Sequence, residues 1–295
     1  MTTPVLFFVD DLAEGVPQPA TRFHEADPSV PQLHITDLGP TRGDGIFETA
    51  GVANGHVQAF DAHLRRFAKS AAILGLPAPK LDVWRDAILA AVAAHAPVTQ
   101  AGAKFIMTRG LEDVEIPTGW VYIFEIEQAA VTDARTNGIK VLVLDRGYRS
   151  DIAQTAPWLL QGAKTLSYGL NQATQRWAKD HGADDVIFTT TDGFVLEGPH
   201  ASLVIKKGNT IITPATDQGI LEGTTQSSTF AFFESEGFST EYRQVRTEEL
   251  AEADGLWLAS STRLAAPIVE MDGAPVPHDA DLTARLNAAL LARTE

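Results

Sequence analysis

Apolar positions in this chain recur at two spacings, and the switches between them predict most of its elements. Behind Asp61, which reads as a helix cap, Leu64, Phe67, Ala71 and Leu74 fall three or four residues apart and stop at Gly75, the pattern of a helix with one apolar face. An alanine-rich stretch behind Asp82 predicts a second helix over 82–96. Ile46 to Val52, 103–109 and 120–126 are instead compact apolar runs bounded by turn residues, with Asn54-Gly55 after the first and Pro117 and Gly119 before the last, and they read as strands. Residues 1–40 carry Pro4, Pro17, Pro19, Pro28, Pro31 and Pro40, which predicts short strands joined by turns.

The later part of the chain repeats this mixture in another order. Strands are expected at 139–144 and 185–190, then a hairpin of Ala201 to Lys206 and Thr210 to Thr213 around Lys207-Gly208-Asn209. A helix opens at Gly223-Thr224-Thr225 and closes at Gly237; strand 239–245, a short acidic helix near 247–253, strand 255–260, a further strand, the Asp272-Gly273 turn and a final helix follow. Ala129 to Gly138 is polar and poor in large apolar residues. The expected division is therefore a small N-terminal α/β domain over 1–130, a connection over 131–138 and a larger C-terminal domain over 139–295.

Composition narrows the function classes. With 23 basic against 38 acidic residues the formal charge is −15, which argues against nucleic acid or an anionic membrane as the main partner. An anionic small ligand would then need its own local cations. The absence of cysteine excludes disulfides, thiolate chemistry and cysteine-ligated zinc, and no metal site is expected. The first residues lack the positive n-region and long apolar run of a signal peptide, and no window reaches about 18 apolar residues, so a cytoplasmic protein is expected.

Residues 161–182 hold the most informative stretch. Leu166, Leu170, Ala173 and Trp177 recur at helical spacing, which predicts a loop feeding an amphipathic helix with Lys164 at its entrance. An ammonium at a helix N-terminus meets partial positive charge, and that field favours the neutral amine that a nucleophilic lysine needs. A solvated surface lysine is the plainer alternative. Arg66, in the helix behind Asp61, is either a ligand cation or part of a solvated face. Gly223-Thr224-Thr225 at a helix start offers backbone N–H groups, hydroxyls and the helix dipole to a phosphate-sized anion, or is simple capping. Ser260-Ser261-Thr262 is a second hydroxyl cluster at a strand end. Glu197 interrupts the apolar run Phe194-Val195-Leu196, so it needs a cationic or strong donor partner if buried, and is otherwise a solvated strand end. A reactive lysine, a carboxylate for a heterocyclic nitrogen, and a helix start with an arginine for a phosphate together fit pyridoxal 5'-phosphate (PLP).

These pieces stand in an order that resembles the class IV, fold-type IV family of PLP enzymes, which comprises branched-chain aminotransferases, D-amino-acid aminotransferases and 4-amino-4-deoxychorismate lyases. The matching segments are Gly43-Asp44-Gly45-Ile46-Phe47-Glu48-Thr49, His63-Leu64-Arg65-Arg66, Lys164-Thr165-Leu166, Glu197-Gly198, Leu221-Glu222-Gly223-Thr224-Thr225, and Ser260-Ser261-Thr262 followed by Pro267 and Asp272-Gly273. The resemblance implies an α+β or α/β two-domain enzyme, a small N-terminal domain and a larger C-terminal domain with a β-barrel-like core, assembled as a homodimer. It implies that Lys164 holds PLP and shuttles protons and that Glu197 pairs with the pyridine nitrogen. Arg66, Gly223, Thr224, Thr225, Ser260 and Ser261 would hold the phosphate, and Leu221 would pack on the ring. Three departures stand out: Pro199-His200-Ala201-Ser202 where the family often has serine and asparagine, Gln226 where an arginine is common, and a different opening hairpin.

For the reaction, the overall run from Pro157 to Tyr168 with Asp185 to Phe188 resembles members assigned as 4-amino-4-deoxychorismate lyases, which release pyruvate and leave 4-aminobenzoate for folate synthesis. The substrate is an anionic amino compound. Arg109, Arg42 and Phe47 are the candidate substrate contacts, and Thr49 could orient a proton or a substrate oxygen or be an ordinary half-buried strand residue. The alternative is a D-amino-acid or branched-chain aminotransferase using the same Lys164 and Glu197; a non-catalytic PLP-binding homologue is the remaining reading.

Overall fold

The computed structural model describes residues 2–17, 19–114 and 116–294. It divides into two compact units, one of residues 1–127, 163–168 and 293–295, the other of 128–162 and 169–292. The short segment 163–168 thus groups with the first unit, although the sequence reading had assigned it to the C-terminal domain.

The first unit is built on a six-stranded antiparallel sheet, β1 (Val5–Val9), β2 (Phe23–Ala26), β3 (Gly45–Ala53), β4 (His56–Val57), β5 (Gln100–Thr108) and β6 (Thr118–Glu125), in the order β2-β1-β6-β5-β3-β4. Three helices join it: α1 (Leu38–Arg42), α2 (Phe60–Leu74) and α3 (Leu81–Ala94). The apolar face read from the sequence in α2 is buried, with Leu64, Phe67 and Ala71 against Ile46, Ala50, Phe105 and Met107 of the sheet. Phe67 meets Trp84 of α3 at 4.9 Å and Phe105 at 5.1 Å between ring centroids, and each large side chain so buried is worth about 1.5–3 kcal/mol. Neither expected carboxylate cap is one. Asp61 and Asp82 lie in the first turns of α2 and α3, behind Ala59 and Lys80 at the N-caps; there they pair with Arg85 and Arg22.

Strand side chains alternate between faces. On β3, Ile46, Glu48 and Ala50 therefore point toward the helices, whereas Phe47 and Thr49 point to the opposite face. The register aligns Glu48 with Phe105 and Val121 on the helix side, and Thr49 with Lys104 and Tyr122 on the other.

In the second unit, the stretch read as a connection is helical, α4 (Gln128–Asn137). It leads into β7 (Ile139–Asp145), α5 (Ile152–Thr155), α6 (Gly169–Asp180), β8 (Asp185–Thr189), β9 (Ser202–Lys207), β10 (Thr210–Pro214), α7 (Thr224–Ser235), β11 (Ser239–Arg243), β12 (Gly255–Ser260), β13 (Leu264–Met271), β14 (Ala274–Pro275) and α8 (Ala280–Leu291). The strands form one mixed sheet, β11-β10-β9-β12-β13-β7-β8, with β14 beside β13. One core cluster gathers Val141, Ile187, Leu203, Ile205, Leu256, Leu258 and Ile268; a second packs Phe230, Phe233, Leu286 and Leu290 of α7 and α8 on Val204, Ile211 and Trp257. Alternate residues of β9 and β12 thus serve both clusters, which is why these strands read as continuous apolar runs.

Helix α6 departs from expectation. Among its residues only Ala178 is buried, and Leu170 and Trp177 are exposed, so the apolar stripe read from the sequence does not face this unit's core. No helix among the described residues is long and apolar enough to cross a membrane.

Candidate active site

Lys164 stands five residues before the start of α6, in extended backbone rather than at a helix entrance. Its carbonyl accepts the Phe47 N–H at 3.0 Å, the Leu166 N–H donates to Gly45 at 2.8 Å, and Ile46 bridges Thr165. Pairing with the edge of β3 commits this backbone to an extended form, so no helix begins at the lysine. The Gly43-Asp44-Gly45 run makes the pairing possible. Gly43 closes α1 in the left-handed region at φ 70°, and a Cβ on Gly45 would stand 2.8 Å from both the Leu166 side chain and the Met107 carbonyl. The Lys164 N–H donates to the Ser70 hydroxyl of α2 at 3.0 Å, and its Nζ lies 4.5 Å from the centroid of the Phe47 ring. Tyr168 meets the same ring edge-on at 5.3 Å.

Arg66 lies on the helix-facing side of β3. Its Nε and Nη2 donate to the two oxygens of Glu48 at 2.6 and 2.7 Å, and His63 Nδ1 lies 2.8 Å from the same carboxylate. Glu48 and His63 are both almost wholly buried. Burial alone would push the Glu48 carboxyl up, but the charge and hydrogen bonds of Arg66, with those of His63, outweigh it and hold Glu48 well below the usual carboxylate range. Burial is also the largest influence on His63 and pushes it down against the pull of Glu48. The pair is thus a carboxylate and a neutral imidazole, with the proton on Nδ1 because a carboxylate can only accept. No role was read for Glu48 from the sequence. It was legible by the argument applied to Glu197, a carboxylate inside an apolar strand run.

In the second unit, the Glu197 segment forms single bridges rather than a regular strand, and Glu197 is half-buried. Its Oε1 accepts the Leu221 N–H at 3.1 Å. Tyr148 stands near it: burial foremost pushes that hydroxyl up to about 12, with Arg146 pulling down and Glu197 adding to the rise. Gly223 is the N-cap of α7, with no side chain capping the helix, and the Thr224 hydroxyl lies 3.4 Å from that of Ser261. A Cβ on Gly223 would stand 2.3 Å from the Ser202 hydroxyl, so only glycine fits that start. Ser260 ends β12 half-buried. The start of a twelve-residue helix without a side-chain cap, with the hydroxyls of Thr224 and Ser261 beside it, suits a phosphate, and a half-buried carboxylate held by a backbone N–H suits a pyridine nitrogen; the residues present fit PLP. Of the departures, Gln226 is buried and bonds the Tyr242 hydroxyl, and the Pro199 carbonyl accepts from Asn171 at 2.7 Å.

The expected substrate cations fare differently. Arg109 gives its Nε and Nη2 to Asp44, and donates from Nη2 and Nη1 to the Leu74 and Gly75 carbonyls that end α2. It thus serves as a helix-end clamp. Arg42 is the exposed last residue of the five-residue α1. Thr49 is half-buried and Phe47 buried, on the face of the sheet that also carries Lys104 of β5, a residue to which sequence reasoning gave no role.

Residues 45–271, most of the chain, match the family model of class IV amino-transferases. The chain belongs to this class IV aminotransferase family. A bifunctional aminodeoxychorismate lyase / D-amino acid transaminase of Mycobacterium tuberculosis is 40% identical over 260 residues, 85% of this chain and 90% of that protein. Among solved structures, a fold IV transaminase from Curtobacterium pusillum superposes with a TM-score of 0.93 at 49% identity, over 99% of this chain and 100% of that one. A hypothetical aminotransferase from Mycobacterium tuberculosis in its PLP-bound form gives 0.88 at 36% identity, over 98% and 99%. The class IV chain therefore has the fold-type IV architecture and is a PLP-dependent enzyme.

Proposed function

We propose that this class IV enzyme is a 4-amino-4-deoxychorismate lyase, releasing pyruvate and leaving 4-aminobenzoate. The observation that carries this reading is the 40% identity, across nine-tenths of its length, to a protein whose name includes that activity. The same name gives a specific reason for a second reading, transamination of D-amino acids, and the transaminase from Curtobacterium pusillum adds to it.

When bound, PLP draws electrons away from the substrate carbon beside the amine. The chain's own residues do the rest. Lys164 provides the amine that holds the cofactor and then carries a proton to and from that carbon. Glu197, oriented by the Leu221 N–H, keeps a proton on the pyridine nitrogen. The N–H groups and hydroxyls at Gly223, Thr224 and Thr225, with Ser260 and Ser261, hold the phosphate, and Leu221 packs on the ring. Arg66 is the cation for that phosphate, and the bidentate grip of Glu48 fixes its guanidinium. The exposed Trp158, Leu159, Leu170 and Trp177 support assembly as a homodimer, which size-exclusion chromatography with light scattering measures.

Supplying one substrate at a time separates the two reactions. Pyruvate formed from 4-amino-4-deoxychorismate without any added keto acid is the expected result. Amine exchange between D-alanine and 2-oxoglutarate with no such pyruvate would overturn the lyase in favour of the transaminase. Lys164→Ala should abolish both activities and the borohydride-sensitive absorbance of the yellow holoenzyme.

A further inference from the structure

The face of the first sheet that carries Phe47 and Thr49 also carries a cation that no carboxylate among the described residues of this unit answers. On β5, Ala103 and Phe105 point into the helix-covered core, so Lys104 between them points to the other side. The register places it directly between Thr49 of β3 and Tyr122 of β6, both half-buried. Its Nζ lies 5.1 Å from the centroid of the Phe47 ring, the ring over which Lys164 Nζ sits at 4.5 Å. Among the described residues of this unit no carboxylate pairs with Lys104 and no hydrogen bond reaches its ammonium. Burial pushes the group below the ordinary lysine range.

A half-buried ammonium that meets only an aromatic face has lost hydration without gaining an anion, a cost that an apolar residue of the same length would avoid. Arg109, expected from the sequence to meet the substrate, has all three guanidinium nitrogens committed to Asp44 and the end of α2. We infer that Lys104, with the Thr49 hydroxyl beside it, receives a carboxylate of the amino substrate and of the corresponding keto acid. This rests on the reading that Lys164 is the reactive amine, because the shared Phe47 ring is what ties Lys104 to the reacting end of the substrate. In a chain of net charge −15, such a local cation is also what an anionic substrate requires.

The test uses full-length holoenzyme with Lys104→Met and Lys104→Arg. PLP uptake and the borohydride-sensitive band should match in all three proteins, and the melting temperature of Lys104→Met should equal or exceed that of the wild type. The dissociation constant of 2-oxoglutarate, measured by calorimetry on protein loaded with pyridoxamine phosphate, should rise roughly 10-fold to 100-fold in Lys104→Met, the loss of one charge-assisted hydrogen bond, and stay near wild type in Lys104→Arg. Wild-type binding in Lys104→Met, or no binding by the wild type, overturns the assignment of Lys104 and leaves PLP chemistry intact. A wild type that takes up no PLP overturns both. Should Lys104→Met fail to fold, Lys104→Gln, which keeps a donor and drops the charge, decides in the same way.

Discussion

The two faces of β3 handle charge in opposite ways. On the helix side Glu48 is fully enclosed, yet every charge around it is answered, with Arg66 gripping both oxygens and neutral His63 donating a proton. On the other side, on the neighbouring strand β5 and paired with Thr49, Lys104 is only half-buried and answered by a ring. The lesson is that depth of burial does not mark a ligand site. What distinguishes Lys104 from Glu48 is that its charge has found no counter-charge among the described residues.

Removing the answered charge should have the largest effect on stability. Glu48→Ala leaves Arg66 and His63 facing an apolar wall and should cost about 3 to 5 kcal/mol, read as a drop in the urea midpoint. Lys104→Met should leave that midpoint unchanged or raise it. Equal losses in the two variants would erase the contrast between the faces.

Acid should reveal the same asymmetry. The His63 pKa is lowered in the fold, so below about pH 6.5 the unfolded chain binds a proton that the native one refuses, and stability falls as pH falls. Glu48 is also lowered; its contribution is complete at neutral pH, declines below about pH 4.3, and is lost only below its depressed native value. Melting temperature against pH should therefore fall in two stages, and Glu48→Gln should make the second, to which Asp192 and Glu249 also contribute, shallower. A wild-type profile flat from about pH 7 to about pH 4.5 would contradict the assignment of His63, and one flat below about pH 4 that of Glu48.

A smaller effect sharpens the boundary between the classes. Arg109→Ala, losing a clamp on α2, should cost on the order of 1 kcal/mol, a few degrees of melting temperature, with little change in KM. A large rise in KM with unchanged stability would return Arg109 to the substrate.

Much of this was legible in the sequence, because apolar spacing is a direct imprint of burial. The face of α2, its Gly75 stop, the hairpin of β9 and β10 and the start of α7 follow from local pattern. Lys164 was recognised as chemically unusual but set in the wrong element, since its extended form is imposed by a strand more than a hundred residues earlier, which no local window contains. Asp61 and Asp82 were misread as caps because a carboxylate within the first turn gains from the helix dipole as a cap does. Lys104 carried no signal at all: a lysine in a strand usually faces water, and only the cross-strand register reveals what stands beside it.

The hexapeptide around Lys164 belongs with the first unit although the sequence on both sides of it belongs with the second. On the ribosome, a nascent chain that stops short of residue 163 leaves the Phe47 amide without its carbonyl acceptor and the Ser70 hydroxyl without its donor. The amine to which we assign the chemistry thus arrives as the closing stitch of the N-terminal sheet, and any attempt to express residues 1–127 alone should give an edge that is unfinished and open to pairing with other chains.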